Sequence, residues 1–465
     1  MLDRRGLFAA AAGSAALSFA PSAWARSPLP SADAVTALDA LRKGKTTIGG
    51  VLVAVHKGQT VALYPWGKAS LPFDVAVNER TLFHLGSNGK LMTSVAVFQL
   101  IEAGLVGPND PIGAHVQGLP PSIAGIQINH LLHHTSGLID YPEVLPDWDR
   151  PQTRDIVIAA LKDQPVHFQP GESWQYSNTN YVLLGWLVAD VSGQSYADYV
   201  QARLFNSAGT PTARADASQQ IIPNRAEPYS IDSNGIRHSV RMDNEVSRSA
   251  DGGVLFSALD VAPWRAALDT NRLLSAQSMS RIVSPGQLTS GRLAPYGCGV
   301  FLQRTRGADL WRHTGGVPGF VSNWLTWPQA DLSILAVINS EGPGGVALGD
   351  MITTLAESIQ PGVTWTGLAP AGDGSDVRTR ALRSLLERSA NSPAPDGLLA
   401  SELSWMSGDG MARVQGLEKI VPLESWYVGA NPAEGEMTRY RLTRGGVQRD
   451  IVVGWTADDR IYWGV

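Results

Sequence analysis

Leu91 to Ala103 is apolar on almost every face of a helix, with Gly104 as its stop. A helix that is hydrophobic all round is enclosed by other elements rather than laid on a surface, so this chain must build layers around it. The stretch that opens it, HLGSNGKLMTS at residues 84–94, places Ser87 and Lys90 three positions apart. Positions i and i+3 share a helix face, so a hydroxyl and an amine can meet inside the protein. A serine hydroxyl is a poor nucleophile at neutral pH and needs a base within hydrogen-bond reach. A lysine in an apolar helix has its pKa pulled down by desolvation and can take or relay a proton, and the helix start adds partial positive charge where an oxyanion would form. The competing reading leaves Ser87 as an N-cap and Lys90 reaching out to solvent. Ser-x-x-Lys is weak by itself in a chain with seven lysines. Its weight comes from being the one match in the sequence and from opening the most apolar helix.

The rest of the composition bounds the function. The chain has 465 residues, 44% of them hydrophobic and 17% charged, which suffices for one large domain plus a smaller one, or two to three of ordinary size. A net charge of -5 with scattered basic residues offers no stripe for nucleic acid. The single cysteine, Cys298, excludes an internal disulfide, a thiolate zinc site and a Cys-x-x-Cys pair, and reads as a small buried filler. Residues 1–25 carry Arg4-Arg5, an Ala-rich run from Gly6 to Ala20 and an A-x-A site at Ala23-Trp24-Ala25, the layout of a cleavable export signal of twin-arginine character, with Asp3 and Leu7 departing from the usual flanks. Fifteen Ala-rich residues are short for a spanning helix, which needs roughly 20, and no second segment of spanning length occurs. The expected location is therefore periplasmic or secreted.

Along the expected mature chain, Ser31 to Lys43 reads as a helix, followed by a hairpin from Val51 to Val55 and Thr60 to Tyr64. Residues 105–290 mix Pro/Gly loops with helical stretches such as Val182 to Val191 and Ala258 to Leu268, the texture of a helical subdomain. From Gly297 to Asn339 the pattern turns to strands, including Ser322 to Trp327 and Leu332 to Ile338, and a helix from Val346 to Ile359 closes this unit. Residues 361–375, rich in Pro and Gly, read as a linker. Beyond it, Val377 to Arg388 reads as a helix and at least three strands follow, among them Met437 to Thr443, Val447 to Trp455 and Ile461 to Val465. The expected division is a signal at 1–25, a catalytic domain at 26–360, a linker at 361–375 and a small α+β appendage at 376–465.

Two further stretches bear on Ser87 and Lys90. FQPGESWQYSNTNYVLLGWLV, residues 168–188, puts Tyr176-Ser177-Asn178 in a loop leading into an apolar helix, and LWRHTGGVPGF, residues 310–320, puts His313-Thr314-Gly315-Gly316 between strands. Ser-x-x-Lys, Tyr-x-Asn and His-x-Gly in this order resemble the serine β-lactamase-like, penicillin-recognising family: class C β-lactamases, secreted D-alanyl-D-alanine carboxypeptidases, D-aminopeptidases and related esterases. HLLHHTSGLIDY at 130–141, SADGGVLFSALD at 249–260 and YGCGVFL at 296–302 are similar to the same family, and the resemblance spans roughly residues 31–360. It implies an α/β (α+β) fold, with an antiparallel sheet flanked by helices and joined to a helical subdomain. No Gly-x-Ser-x-Gly occurs, which argues against an α/β-hydrolase elbow.

The resemblance further implies that Ser87 is the acylated nucleophile and that Lys90 and Tyr176 form its base, with Lys90 and His313 supplying the cationic field that a phenolate needs. Asn178 would hold the substrate amide and Lys90. The N–H groups of Ser87 and Gly316 would form the oxyanion hole, with Gly315 and Gly316 keeping the strand edge open beside Thr314. No metal or organic cofactor is required. His130, His133 and His134 lie at i, i+3, i+4 spacing but lack the Glu of H-E-x-x-H and a carboxylate cluster, so they read as scaffold.

Departures from the family shape the expected substrate. Most class C β-lactamases have lysine where this chain has His313, which makes the chain look more like the carboxypeptidases and aminopeptidases. Phe301 and Gly316 occupy positions that bind the substrate carboxylate in carboxypeptidases, and neither side chain can do so. Gly89, inside Ser-x-x-Lys, would cost a helix interior up to about 1 kcal/mol against alanine. The expected function is an exported serine hydrolase acting on a small-molecule or peptidoglycan-derived peptide substrate, most like the carboxypeptidases. A carboxylesterase or D-aminopeptidase of the same fold is the alternative, and a non-catalytic cell-wall-binding homologue is the rival from another class.

Overall fold

The computed structural model describes residues 30–147, 150, 152–216, 221–235, 237–240, 250–388, 392–403 and 414–464. The expected export signal at 1–25, together with Ser249 and Val465, lies outside these residues.

The central sheet is antiparallel and has seven strands, β1 (Gly49–His56), β2 (Gln59–Ser70), β3 (Val75–Ala76), β4 (Phe301–Thr305), β5 (Ala308–Val317), β6 (Phe320–Trp327) and β7 (Leu332–Ile338), in the order β4-β5-β6-β7-β1-β2-β3. The chain's N-terminal strands thus close onto strands from far along the chain, β1 pairing with β7 from Gly50↔Ile338 to His56↔Leu332. Side chains alternate across the pleat, and β1 shows it. Leu52 and Ala54 face α1 (Ala32–Arg42) and a C-terminal helix, Leu348–Ile359, while Val51, Val53 and Val55 face the helical side of the protein.

On that helical side sits α2 (Lys90–Glu102), packed on α3 (Asn178–Ser192) and sharing one buried core with the inner face of the sheet. Met92, Val95, Ala96, Val97 and Phe98 are all buried, which is why the run is apolar on every face. Gly89 precedes α2 in a 3-10 turn, Gly86–Gly89, so its helix-interior cost does not arise. A helix Ala258–Asp269, α4, starts from a Ser257/Asp260 capping box. The helix Leu348–Ile359 is α5.

A second unit follows. Helix α6 (Val377–Leu386) packs Leu382, Leu385 and Leu386 against a four-stranded antiparallel sheet, β8 (Lys419–Tyr427), β9 (Glu436–Arg444), β10 (Val447–Trp455) and β11 (Ile461–Trp463). The stretch between the units is tied down. Gly362 and Thr364 donate to the Glu357 carboxylate, Arg306 Nε donates to Thr364 O at 2.8 Å, and Ala371 N donates to Pro422 O at 2.8 Å. Arg439 of β9 donates to Glu424 and to Arg304 O of β4, and its guanidinium lies 4.4 Å above the Trp365 ring. The C-terminal sheet is therefore fastened alongside the β4 edge of the catalytic one. Among the described residues, no helix is long and apolar enough to cross a membrane.

Candidate active site

Ser87 sits on the 3-10 turn and Lys90 is the first residue of α2. Gly86, at φ +54°, lets this turn lie against β5: a Cβ on it would stand 2.8 Å from Gly316 N. Gly315 makes the reciprocal approach, because a Cβ there would stand 1.9 Å from Leu85 O. The glycines thus weld the serine turn to the strand.

His313 to Gly316 lie inside β5 rather than between strands, which corrects the sequence reading. Their β6 side is fully paired, from His313↔Trp324 to Gly316↔Val321, whereas pairing with β4 stops at Phe301↔Arg312. From His313 onward the strand therefore presents a free edge on the β4 side. His313 and Gly315 are buried, while Thr314 and Gly316 are exposed.

The side chains of Ser87, Lys90, Tyr176, Asn178 and His313 come together. Lys90 Nζ, wholly buried, contacts Ser87 Oγ at 3.1 Å, Asn178 Oδ1 at 2.7 Å and the Asp251 carbonyl at 2.6 Å. The carbonyl can only accept. Asn178 presents Oδ1 because its Nδ2 donates to Asp140 Oδ2 at 2.9 Å and its backbone N–H to Asp140 Oδ1 at 2.6 Å. Ser87 is thus the one neighbour able to donate, so a neutral amine spends its two N–H groups on the acceptors and turns its lone pair to the Ser87 hydroxyl. Burial lowers the Lys90 pKa to about 8, against the opposing pull of the Asp251 and Asp140 carboxylates. Those two groups shift the other way: burial raises Asp251 to about 6, and it also raises Asp140.

Tyr176 lies under the Lys90 ammonium, 5.0 Å from Nζ to ring centroid. Its Oη is buried without a closed hydrogen bond, although the Ser87 hydroxyl is near enough to oppose in part the strong upward push of burial on its pKa. The resting phenol therefore keeps its proton. His313 Nδ1 donates to Thr314 O at 2.5 Å, and its Nε2 accepts from Tyr296 Oη at 3.1 Å. Both nitrogens are used by a neutral ring, and burial, aided by Lys90, lowers its pKa to about 3. The expected cationic field from His313 is absent: the ring is uncharged at neutral pH, and Lys90 is the cation that faces Tyr176.

Asp140, Asp251 and Tyr296 carry much of this geometry without a sequence signal of their own. Each lay in a stretch matched to the family, yet nothing in the local pattern tied Asp140 to Asn178 or Asp251 to Lys90. The three histidines of 130–134 do not converge. His130 Nδ1 meets Thr135 Oγ1, His133 Nδ1 donates to Tyr296 O and its Nε2 meets Cys298 Sγ, and His134 Nδ1 accepts from Ser177 N and Asn180 Nδ2.

Fold and site together define a serine hydrolase of the β-lactamase type. The chain belongs to the β-lactamase family, whose model, described as Beta-lactamase, matches residues 35–356. It is 28% identical over 318 residues to penicillin-binding protein 4* of Bacillus subtilis (strain 168), covering 64% of this chain and 69% of that one. It is 28% identical over 331 residues to a D-aminopeptidase of Gluconobacter oxydans (strain 621H), covering 69% of this chain and 60% of the relative's length. The octameric penicillin-binding protein homologue from Pyrococcus abyssi shares the fold with a TM-score of 0.62 at 18% identity, over 92% of this chain and 94% of that one, so the likeness in fold extends into the C-terminal unit.

Proposed function

We propose that this protein hydrolyses amides and esters through an acyl-enzyme on Ser87, outside the cytoplasmic membrane. The observation that carries the reading is the Lys90 amine, buried and committed to two pure acceptors, with the Ser87 hydroxyl 3.1 Å away. Lys90 takes the Ser87 proton as Oγ attacks the carbonyl carbon, and the N–H groups of Ser87 and Gly316 receive the oxyanion. The protonated Tyr176 phenol supplies a proton to the leaving atom, and the proton held by Lys90 restores the phenol. Water then gives a proton to Lys90 as it attacks the acyl carbonyl carbon. The carbon–Oγ bond breaks, Ser87 Oγ regains the proton from Lys90, and the acid leaves. Asn178 and the free edge of β5 hold the substrate amide, with Thr314 and Gly316 exposed beside it.

Among the described residues, the cation that contacts this site is Lys90, and its partners are already fixed. A terminal carboxylate finds no counter-ion there, so neutral amides and esters are favoured over D-alanyl-D-alanine peptides. The D-aminopeptidase relative supports D-configured amides within that class. The layout of residues 1–25 supports export.

The test is intact-protein mass spectrometry after exposure to a fluorescent penicillin or to p-nitrophenyl acetate, with p-nitrophenol release followed in parallel. An adduct or turnover lost in Ser87→Ala supports the acyl-enzyme. Neither adduct nor turnover with either reagent moves the reading to a non-catalytic binding protein.

A further inference from the structure

The cleft has an aromatic side, and part of it comes from the C-terminal unit. Phe301, at the start of β4, stacks against His313 with ring centroids 5.2 Å apart, and His313 is in turn 5.9 Å from the Tyr176 ring. Trp174, two residues before Tyr176, lies 6.0 Å from Phe301. Both Trp174 and Phe301 are half-buried, whereas the rings behind them, Tyr296 and His313, are buried. Trp463 of β11 stands 5.5 Å from Trp174 and 6.1 Å from Phe301, and the three share one apolar cluster with Met437 and Tyr462.

Trp463 is held firmly. The residue opposite it in the register is Gly454, where a Cβ would come within 2.9 Å of Trp463 Cβ. The neighbouring Tyr462 donates its Oη to Leu293 O of the catalytic domain at 3.1 Å. On the same side, Tyr176 Oη and Trp174 Nε1 are buried without a closed hydrogen bond.

We propose that Trp174, Phe301 and Trp463 form a leaving-group subsite for an uncharged aryl or branched alkyl group, and that the C-terminal unit completes it by fixing Phe301 and Trp174 with Trp463. This rests on the acyl-enzyme reading and goes further, because it names which end of the substrate is selected and by what chemistry. The leaving atom must lie within reach of the group that protonates it. Tyr176 Oη is that group, so the rings beside Tyr176 flank the leaving group and not the acyl group. Ring faces and edges favour apolar and aromatic partners, whereas a carboxylate brought against them is desolvated without a counter-ion. Arg312, the nearest cation on β5, stands opposite Phe301 in the register and lines a cavity with Trp264, Trp311 and Trp324 that includes none of the three rings. Arg241 and Arg248 lie outside the described residues.

The test compares phenyl acetate with 4-acetoxybenzoate, which differ by one carboxylate on the leaving phenol, using the full-length protein. In each reaction the acyl carbon–oxygen bond breaks, Ser87 keeps the acetyl group and the phenol leaves with the proton. A kcat/KM at least about tenfold higher for phenyl acetate is expected. Phe301→Arg should move that ratio about tenfold or more toward 4-acetoxybenzoate. Trp463→Ala should lower kcat/KM for phenyl acetate about tenfold while changing that for 2,2,2-trifluoroethyl acetate, whose leaving group is too small to fill the subsite, by less than about twofold. Trp463→Phe should restore most of the loss. A wild-type preference for 4-acetoxybenzoate, or a ratio indifferent to Phe301→Arg, overturns the proposal even if Trp463→Ala fails to fold. Hydrolysis that survives Ser87→Ala sinks the acyl-enzyme reading instead, which keeps the two failures apart.

Discussion

Asp140 grips Asn178 twice, taking its backbone N–H at 2.6 Å on one carboxylate oxygen and its side-chain Nδ2 at 2.9 Å on the other. The amide has no freedom to flip, so its Oδ1 stays turned to Lys90 Nζ at 2.7 Å. A carboxylate that never touches Ser87 thereby decides which way the Lys90 lone pair faces. It also acts through space, since its charge favours the lysine cation and holds the Lys90 pKa above where burial alone would set it.

Asp140→Ala removes both effects, and they can be read separately. Loss of the clamp on Asn178 should lower kcat by about 10- to 100-fold, the worth of hydrogen bonds to a charged group, with KM little changed. Loss of the negative charge should move the Lys90 midpoint to lower pH, because less now favours its cation. A pH–rate profile of p-nitrophenyl acetate hydrolysis measures both. A drop in kcat with an unmoved midpoint would reduce Asp140 to packing.

Much of this was legible in the sequence, for identifiable reasons. The α2 run announced its own burial because every face is apolar, and Ser-x-x-Lys at its start is a local spacing that needs no tertiary knowledge. The Tyr176–Asn178 segment likewise carried its signal in the helix it leads into. His313 to Gly316 were misjudged because paired glycines read as a strand break. In the fold Gly315 is glycine for the opposite reason, since Leu85 O occupies the space a side chain would need. The neutrality of His313 was also invisible, being set by its burial and by the nearby Lys90 once the strand is in place. Asp140 and Asp251 reach Asn178 and Lys90 from 38 and 161 residues away, a distance no periodicity spans. The approach of Trp463 to Phe301 depends on how two separately patterned units dock.

The two glycines of β5 should separate stability from function. Gly315→Ala puts a methyl into backbone that cannot yield, 1.9 Å from Leu85 O. A loss of about 3 kcal/mol or more is expected, at the upper end for overpacking, seen as a lower thermal midpoint. Gly316→Ala meets nothing within 4 Å and needs no positive φ. Its midpoint should stay within about 0.5 kcal/mol of the parent, so any lost hydrolysis reports on the cleft itself. Equal midpoints for the two variants would contradict the close approach of the serine turn to the strand.

Buried histidines should make the fold acid-sensitive. Burial lowers His133 to about 4 and His313 to about 3, and it pushes His134 well below its ordinary value. As pH falls below about 6.5 the unfolded chain gains these protons first, so each group removes up to about 1.4 kcal/mol per pH unit until its folded pKa is reached. Asp251, raised to about 6, works the other way between that value and the ordinary carboxylate range, because there the folded state holds the extra proton. Asp140, also raised by burial, adds to Asp251. Three histidines against these two carboxylates should leave the urea midpoint lower at pH 4.5 than at pH 7, with His133→Gln flattening the slope. A midpoint that is level or rises on acidification would mean these rings are not held neutral.

Lys90 sets the pH dependence of the chemistry. With a pKa lowered to about 8, it is mostly protonated at pH 6 and mostly neutral at pH 9. Only the neutral amine can take the Ser87 proton, so kcat/KM for p-nitrophenyl acetate should climb about tenfold per unit below pH 8 and then level off. No fall should follow up to about pH 10, because burial keeps the Tyr176 phenol protonated well beyond its ordinary range. Lys90→Met should remove the limb and about 10²- to 10⁴-fold of the rate, the usual span for a positioned general base. The same shift has a stability counterpart of the same sense as that of the histidines, in a higher pH window. Between about pH 8 and the unfolded lysine value of about 10.4, the unfolded chain keeps a proton the folded one has shed, so stability attributable to Lys90 rises with pH in that window. A rate profile flat from pH 6 to 9 would show that the amine is not the base, and would pass the role to Tyr176.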